Sequence, residues 1–458
     1  MHNTDSITDI AQVSGSALAG AKAPKGAALR DILSKAETPD ALTIPEAASL
    51  LSVTDEDDIG LMCDAAGRVK DAVFGPRVVL FAPLYLSNYC SNDCTYCGFR
   101  RSNEDARRRA LSPEDAVEQA RLLSGMGFKR LLLVAGEHPG HSGVEYLADV
   151  ASAIYAGTDI RILHVNCAPL STAEFKTLKG AGYGVYQCFQ ETYHQPTYAA
   201  MHPTGKKRDY AFRLAAMDRA LEAGFGDVGI GALLGLYDHR FDALATIAHS
   251  RHLEERFGAA AHTISVPRLR HAEGAALAEA PHPVSDLEFK KIVAVYRLSV
   301  PYAGVVVSTR EPALLREEVL TMGASQVSAG SSTEPGGYGE NDHSQAQFDV
   351  SDHRDLGEMV GVIARMGLLP SLCTSCYRSG RQGHEFRELA GSGAIKDFCT
   401  PNAILSLKEY IIDNAGRADT DLLNRIVARF TETVEEPLKR DLLSKLAGIE
   451  KGGRDVHY

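Results

Sequence analysis

The chain contains no tryptophan, and cysteine is scarce, with nine among 458 residues. Cations are outnumbered, 48 Lys and Arg against 59 Asp and Glu, for a formal net charge of -11. A general nucleic-acid binder needs a basic stripe to neutralise phosphates, so none is expected as a partner. No apolar run approaches the ~18 residues of a membrane span, and the opening "MHNTDSITDI" has neither the basic nor the apolar region of a secretory signal. These absences predict a cytoplasmic protein with no membrane partner, acting on small molecules or other proteins. Thiols stay reduced there, so clustered cysteines point to metal or redox chemistry before disulfides.

What is present is a long alternation of strand-like and helix-like segments. Residues 1–26 are small and polar without apolar period and predict a mobile tail, and residues 27–75 carry apolar positions at helical spacing, a helical lead-in. Over residues 76–340 come eight short β-branched runs: "VVLFAPLYL", "RLLLVAGE", "IRILHVNCA", "GVYQCFQET", "DVGIGALLGL", "HTISVPRLR", "GVVVSTRE" and "SQVSAGSS". Amphipathic stretches separate them, such as "SPEDAVEQARLLSGMG", with Ser112 as N-cap and Pro113 as first helical residue. Parallel strands need helical crossovers and eight strands can close a sheet, so the expected fold is α/β, a (β/α)8 TIM-type barrel. Its polar strand ends should face one cavity. Residues 341–458 read as a mostly helical C-terminal domain with cysteines of its own.

Three cysteines, Cys90, Cys94 and Cys97 in "SNYCSNDCTYCGFR", follow the first strand. Three thiolates hold three irons of a [4Fe-4S] cube and leave the fourth open, whereas structural zinc takes four closed ligands. The CxxxCxxC spacing, with Tyr96 before the third cysteine, resembles the signature of the radical S-adenosylmethionine (SAM) superfamily. That resemblance implies SAM chelated on the open iron and cleaved to a 5′-deoxyadenosyl radical. "VAGEHP" resembles the superfamily's GGE motif with Ala135 in place of its first glycine, so Gly136 and Glu137 would receive the methionine amino group. Glu191 and Arg213 fall where relatives use a carboxylate near the ribose or amino group and an arginine for the SAM carboxylate. A surface ion pair is the plainer alternative for each.

A second group, Cys373, Cys376 and Cys399, again offers three thiolates; zinc completed by His384 is its alternative reading. This array, with "YRSGRQG", "CTPNAILSLKEYI", "QETYHQPTY", "HPTGKKRDYAFRL", "HTISVPRLR" and "AGSSTEPGGY", resembles the tyrosine lyase family that matures the H-cluster of [FeFe]-hydrogenase. The resemblance implies two [4Fe-4S] clusters. At the first, the Cα–Cβ bond of L-tyrosine breaks to give p-cresol and dehydroglycine; at the second, dehydroglycine becomes CO and cyanide on an extra iron. His262 matches the family histidine on that iron, which free cysteine would also ligate, and Ser308 and Arg310 are candidates for the tyrosine carboxylate, an ion pair of Arg310 with Glu311 being the alternative. Flavodoxin or ferredoxin as electron donor and hydrogenase-maturation proteins are the implied partners. The rival readings are a thiazole-pathway 2-iminoacetate synthase, without the second array, and a non-catalytic iron-sulfur or zinc scaffold or sensor. Cys63, Cys167 and Cys188 read as core thiols, and "RRSNEDARRR" as a solvated face also suited to an acidic electron donor.

Overall fold

All eight apolar runs form parallel strands: β1 (Arg77–Ser87), β2 (Arg130–Ala135), β3 (Ile162–Asn166), β4 (Tyr183–Gln187), β5 (Asp227–Gly231), β6 (Thr263–Ser265), β7 (Gly304–Val307) and β8 (Gln326–Ser328). The computed structural model describes residues 7, 9–38, 42–339 and 345–458. Each strand pairs with the next, and β1 pairs with β2 through Ala82↔Leu131 and with β8 through Val79↔Gln326, so the sheet closes into the expected barrel. Its strands are buried along nearly their whole length because helices cover the outer face.

The crossover helices start where local chemistry directs. Ser112 caps Pro113–Met126 and Ser171 caps Thr172–Gly180, each in a reciprocal box with the acid three residues on. The lead-in forms three helices, Ala27–Ala36, Ile44–Leu51 and Glu56–Phe74. Inside the stretch expected to be a mobile tail, residues 1–6 and 8 lie outside the described residues, but Ile10–Gly20 is a helix. Ile10 joins Tyr193, Leu214, Phe241 and Ala245 in a small apolar cluster. The repeat Ile10, Ser14, Leu18 at four-residue spacing was the available signal, diluted by the small residues between.

The boundary expected at residues 340/341 also lies outside the described residues. Beyond it the chain is mostly helical, yet it shares the barrel's sheet: β9 (Leu369–Ser371) runs parallel to β1 through Arg77↔Leu369, Val78↔Pro370 and Val79↔Ser371. Val79 pairs with both β8 and β9, so β9 takes the edge that β2 occupies further along β1. The strand ends beneath β2, where the Arg130 guanidinium donates to the Cys373 carbonyl at 2.8 Å. The second cysteine group is thereby fixed to the N-terminal mouth of the barrel.

Gly67 decides how closely the lead-in packs. A Cβ there would meet the Thr321 carbonyl oxygen at 2.7 Å. In an open helix Gly→Ala stabilises by about 1 kcal/mol; here the close approach reverses the sign, and Gly67→Ala is expected to lower denaturant stability by about 1–3 kcal/mol.

Candidate functional site

At the C-terminal mouth, Cys90, Cys94 and Cys97 rim a cavity of about 190 Å³, against about 40 Å³ for the pocket at the opposite mouth, so the larger ligand belongs here. The loop bearing the thiols is tied down by backbone-directed hydrogen bonds. Arg108 donates to the carbonyls of Asn88, Phe99, Arg100 and Asn103 at 2.7, 2.9, 2.5 and 3.3 Å. Arg100 holds Asp93 through two bonds of 2.9 and 3.1 Å, which keeps that carboxyl well below its usual range. The "RRSNEDARRR" run is therefore in part a clamp, which its charge pattern alone did not reveal. Burial pushes the Cys90 thiol up to about 11 and raises Cys94 and Cys97 as well, so free thiolates are disfavoured until a cationic group offsets them.

Beside the thiols lies a buried quartet of two acids and two cations. Glu137 accepts from Arg213 at 2.8 Å and from Asn92 at 2.7 Å, and Glu191 accepts from Lys207 at 2.6 Å. Burial works to raise both carboxyls, but the cations win: Lys207 and Arg213 hold Glu191 at about 2. Gly136 is required because a Cβ there would stand 2.4 Å from the Tyr89 carbonyl. Glu191 itself sits at φ 69°, a left-handed conformation rare outside glycine. Asp242 fixes that turn by accepting from Thr192 Oγ1 at 3.0 Å and Tyr193 N at 2.8 Å.

Tyr96 stands under Lys207, whose Nζ lies 5.7 Å from its ring centre, and donates its hydroxyl to His202 Nε2 at 2.8 Å. Burial and Lys207 push His202 down to about 3; it is neutral, with Nδ1 donating to the Tyr198 carbonyl at 2.7 Å. Ser308 and Arg310 line the same cavity. Arg310 does not pair with Glu311, which is engaged by Arg268 and by Arg270 at 2.9 Å, and among the described residues no ion pair joins Arg310. Its guanidinium lies over the Phe348 ring, 3.2 Å from the centre.

Cys373, Cys376 and Cys399 rim the small pocket at the N-terminal mouth, and His262 reaches them there rather than the first cavity. His262 immediately precedes β6; its Nε2 is 3.0 Å from the Tyr377 hydroxyl and its Nδ1 3.4 Å from Asp227. The neighbouring Cys399 thiol and the nearby Arg77 and Arg381 guanidiniums hold Cys376 below the ordinary thiol range. His384 does not complete this set: it is exposed and faces Glu388 at 3.8 Å. Among the described residues no three His, Cys, Asp or Glu side chains converge as ligands of a single metal ion. Instead each triad rims one pocket, as suits a cluster that takes one thiolate per corner.

Several contributors were not read from the sequence. Lys207 hid in the basic run "KKR", and Asn92 and Asp242 carried no motif; Cys167 is a buried core thiol as expected and also lines the upper cavity. Cys63 is buried in its helix as expected.

A closed parallel barrel with three thiols beside an acid-base quartet at its C-terminal mouth defines the class of radical SAM enzymes, and the Radical SAM superfamily profile matches residues 84–248. The Biotin and Thiamin Synthesis associated domain matches residues 265–369, bridging the barrel's second half and β9. The crystal structure of HydG, a maturase of the [FeFe]-hydrogenase, superposes with a TM-score of 0.93 at 43% identity, covering 100% of both chains. The FeFe-hydrogenase maturase HydG from Carboxydothermus hydrogenoformans gives 0.86 at 37% identity, over 97% of this chain and 100% of that one. The 2-iminoacetate synthase of Escherichia coli K12 is 34% identical over 330 residues, 72% of this chain and 86% of that protein. Within the radical SAM superfamily, the chain belongs to the HydG maturase family. Among the described residues no helix is long and apolar enough to cross a membrane.

The quartet makes stability pH-dependent in a defined direction. Glu191 is depressed from 4.5 to about 2, so its contribution is present above pH ~4.5 and lost as the pH falls toward 2. Glu191→Gln should lower stability by roughly 3 kcal/mol at pH 7 and by much less near pH 2, measured as the difference between denaturation midpoints across pH.

Proposed function

We propose that this protein is a radical SAM carbon–carbon lyase that cleaves L-tyrosine to p-cresol and dehydroglycine, then converts dehydroglycine to CO and cyanide on iron for H-cluster assembly. The observation that carries this reading is the pair of thiol triads at opposite mouths of one barrel. In this reading Cys90, Cys94 and Cys97 hold the first [4Fe-4S] cluster, Cys373, Cys376 and Cys399 hold the second, and His262 ligates the extra iron, which free cysteine completes. When bound, the first cluster delivers the electron that cleaves SAM to its radical, and the second with its extra iron supplies the metal for the later step.

The chain's own groups do the positioning. Gly136 lets the backbone approach closely and Glu137 accepts the SAM ammonium, while Arg213 meets the SAM carboxylate, an exchange of partners inside an already paired network. Glu191, with Lys207, borders the ribose, and Tyr96 packs at the cluster edge. Arg310, half-buried in the cavity and without an ion pair among the described residues, gains one with the tyrosine carboxylate, with Ser308 beside it. The barrel wall keeps water from the radical. Flavodoxin or ferredoxin supplies electrons, and the iron product passes to partner hydrogenase-maturation proteins. Residues 76–340 carry the lyase step, and 341–458 supply the thiols of the iron step, with His262 of the barrel beside them.

The second reading, a 2-iminoacetate synthase, is favoured by the Escherichia coli relative but leaves the lower thiol triad without a role. Replacing Cys90, Cys94 and Cys97 together with alanine should abolish 5′-deoxyadenosine formation; retention would remove the first assignment. Replacing Cys373, Cys376 and Cys399 should spare p-cresol, measured by chromatography, while CO captured by a haem protein vanishes. His262→Ala should likewise spare p-cresol and deplete the extra iron. Wild-type protein that makes p-cresol but neither CO nor cyanide would favour the second reading.

A further inference from the structure

The lower pocket has more cationic charge than its carboxylates account for. Arg77 opens β1 and lies deep in the protein, yet keeps accessible surface, which faces the pocket of Cys373, Cys376 and Cys399. No hydrogen bond or ion pair joins its guanidinium among the described residues, and its Nε is buried without a partner. Its one aromatic contact is the Phe74 ring, 5.2 Å away, whose centre also lies 4.8 Å from Arg297. Arg297 is satisfied by the carbonyls of Gly323 and Pro301 and brings no anion. Arg130 is committed to the Cys373 carbonyl, and Arg381 to Ser375 Oγ and the Tyr458 carbonyl, each leaving a buried Nε unpartnered. Asp227, the nearby carboxylate, is engaged by Gly383 N at 3.0 Å and lies against His262.

A guanidinium buried without an anion is costly, so the fold must bring it one. The groups it faces across the pocket are the thiols of Cys373, Cys376 and Cys399, which become anionic when they bind metal as thiolates. A [4Fe-4S]2+ core with three thiolates carries one negative charge, and reduction adds another. We infer that Arg77 is the counter-charge of the second cluster, a positioning residue that favours its reduced, more negative state and raises its potential. This rests on the proposed two-cluster reading.

The two clusters provide an internal comparison. At about 3.3 Å per residue, β1 sets Arg77 roughly 33 Å from the first cluster's loop, and because Coulombic interaction falls with distance the first cluster feels Arg77 far less than the second. Reductive titration followed by electron paramagnetic resonance on anaerobically reconstituted wild type, Arg77→Met and Arg77→Lys reads both potentials. Arg77→Met should make the second cluster at least tenfold harder to reduce, about 59 mV for a one-electron couple, with the first cluster and p-cresol formation unchanged. Arg77→Lys, which keeps charge but not shape, should stay near wild type. Equal shifts in both variants, or none in Arg77→Met, overturn the inference. Should Arg77→Met not retain the second cluster, Arg77→Lys must retain it in full; loss in both also overturns it. Wild type without a second cluster would instead remove the two-cluster reading.

Discussion

Strand β1 is the constraint on which the rest depends. Its eleven residues bond to β8 on one edge and to β9 and then β2 on the other, so one continuous segment closes the barrel and anchors the C-terminal region. It also joins the two sites: Arg77 begins it at the lower pocket, and the loop of Cys90, Cys94 and Cys97 leaves it at the upper cavity. Any slip in its register would move both sites, because a one-residue shift turns every side chain to the other face.

The two mouths handle buried charge in opposite ways. At the upper mouth, Glu137, Glu191, Lys207 and Arg213 neutralise one another, and the network stands assembled before any ligand arrives. Its pairs are strong because they are buried, and each is an ion pair that a zwitterionic ligand can re-partner. At the lower mouth, among the described residues no ion pair joins Arg77, Arg130 or Arg381, and Arg77 and Arg130 line the pocket of the thiols. On the proposed function, the first site takes a molecule that carries both charges and the second a group that is net negative.

Rigid support explains how such networks persist. Glu191 holds a left-handed backbone in a turn braced by Asp242, on the helix His239–Phe257, which takes both the Thr192 hydroxyl and the Tyr193 amide, and by Leu233 N donating to the Glu191 carbonyl at 2.7 Å. The cluster loop has little regular structure, and Arg108 substitutes for a ladder by reaching four carbonyls.

The sequence by itself determined the eight strands, the capped helices such as Pro113–Met126, and the two groups of three cysteines that each line one pocket. Those signals are local: a period of apolar residues, a serine three before an acid, three cysteines within eight residues. The helix Ile10–Gly20 escaped because its small residues blur the period, and Arg108 because a guanidinium bound to carbonyls looks, in sequence, like one bound to water. Tertiary structure alone decided that Lys207 pairs with Glu191 and that Arg310 is free of Glu311, and it set His262 in the same pocket as the lower thiols. Each depends on where residues distant in the chain meet across the barrel, and a strand's two ends are opposite mouths. His262 precedes β6 and Arg310 follows β7; the direction of the strand assigns them to different chemistry.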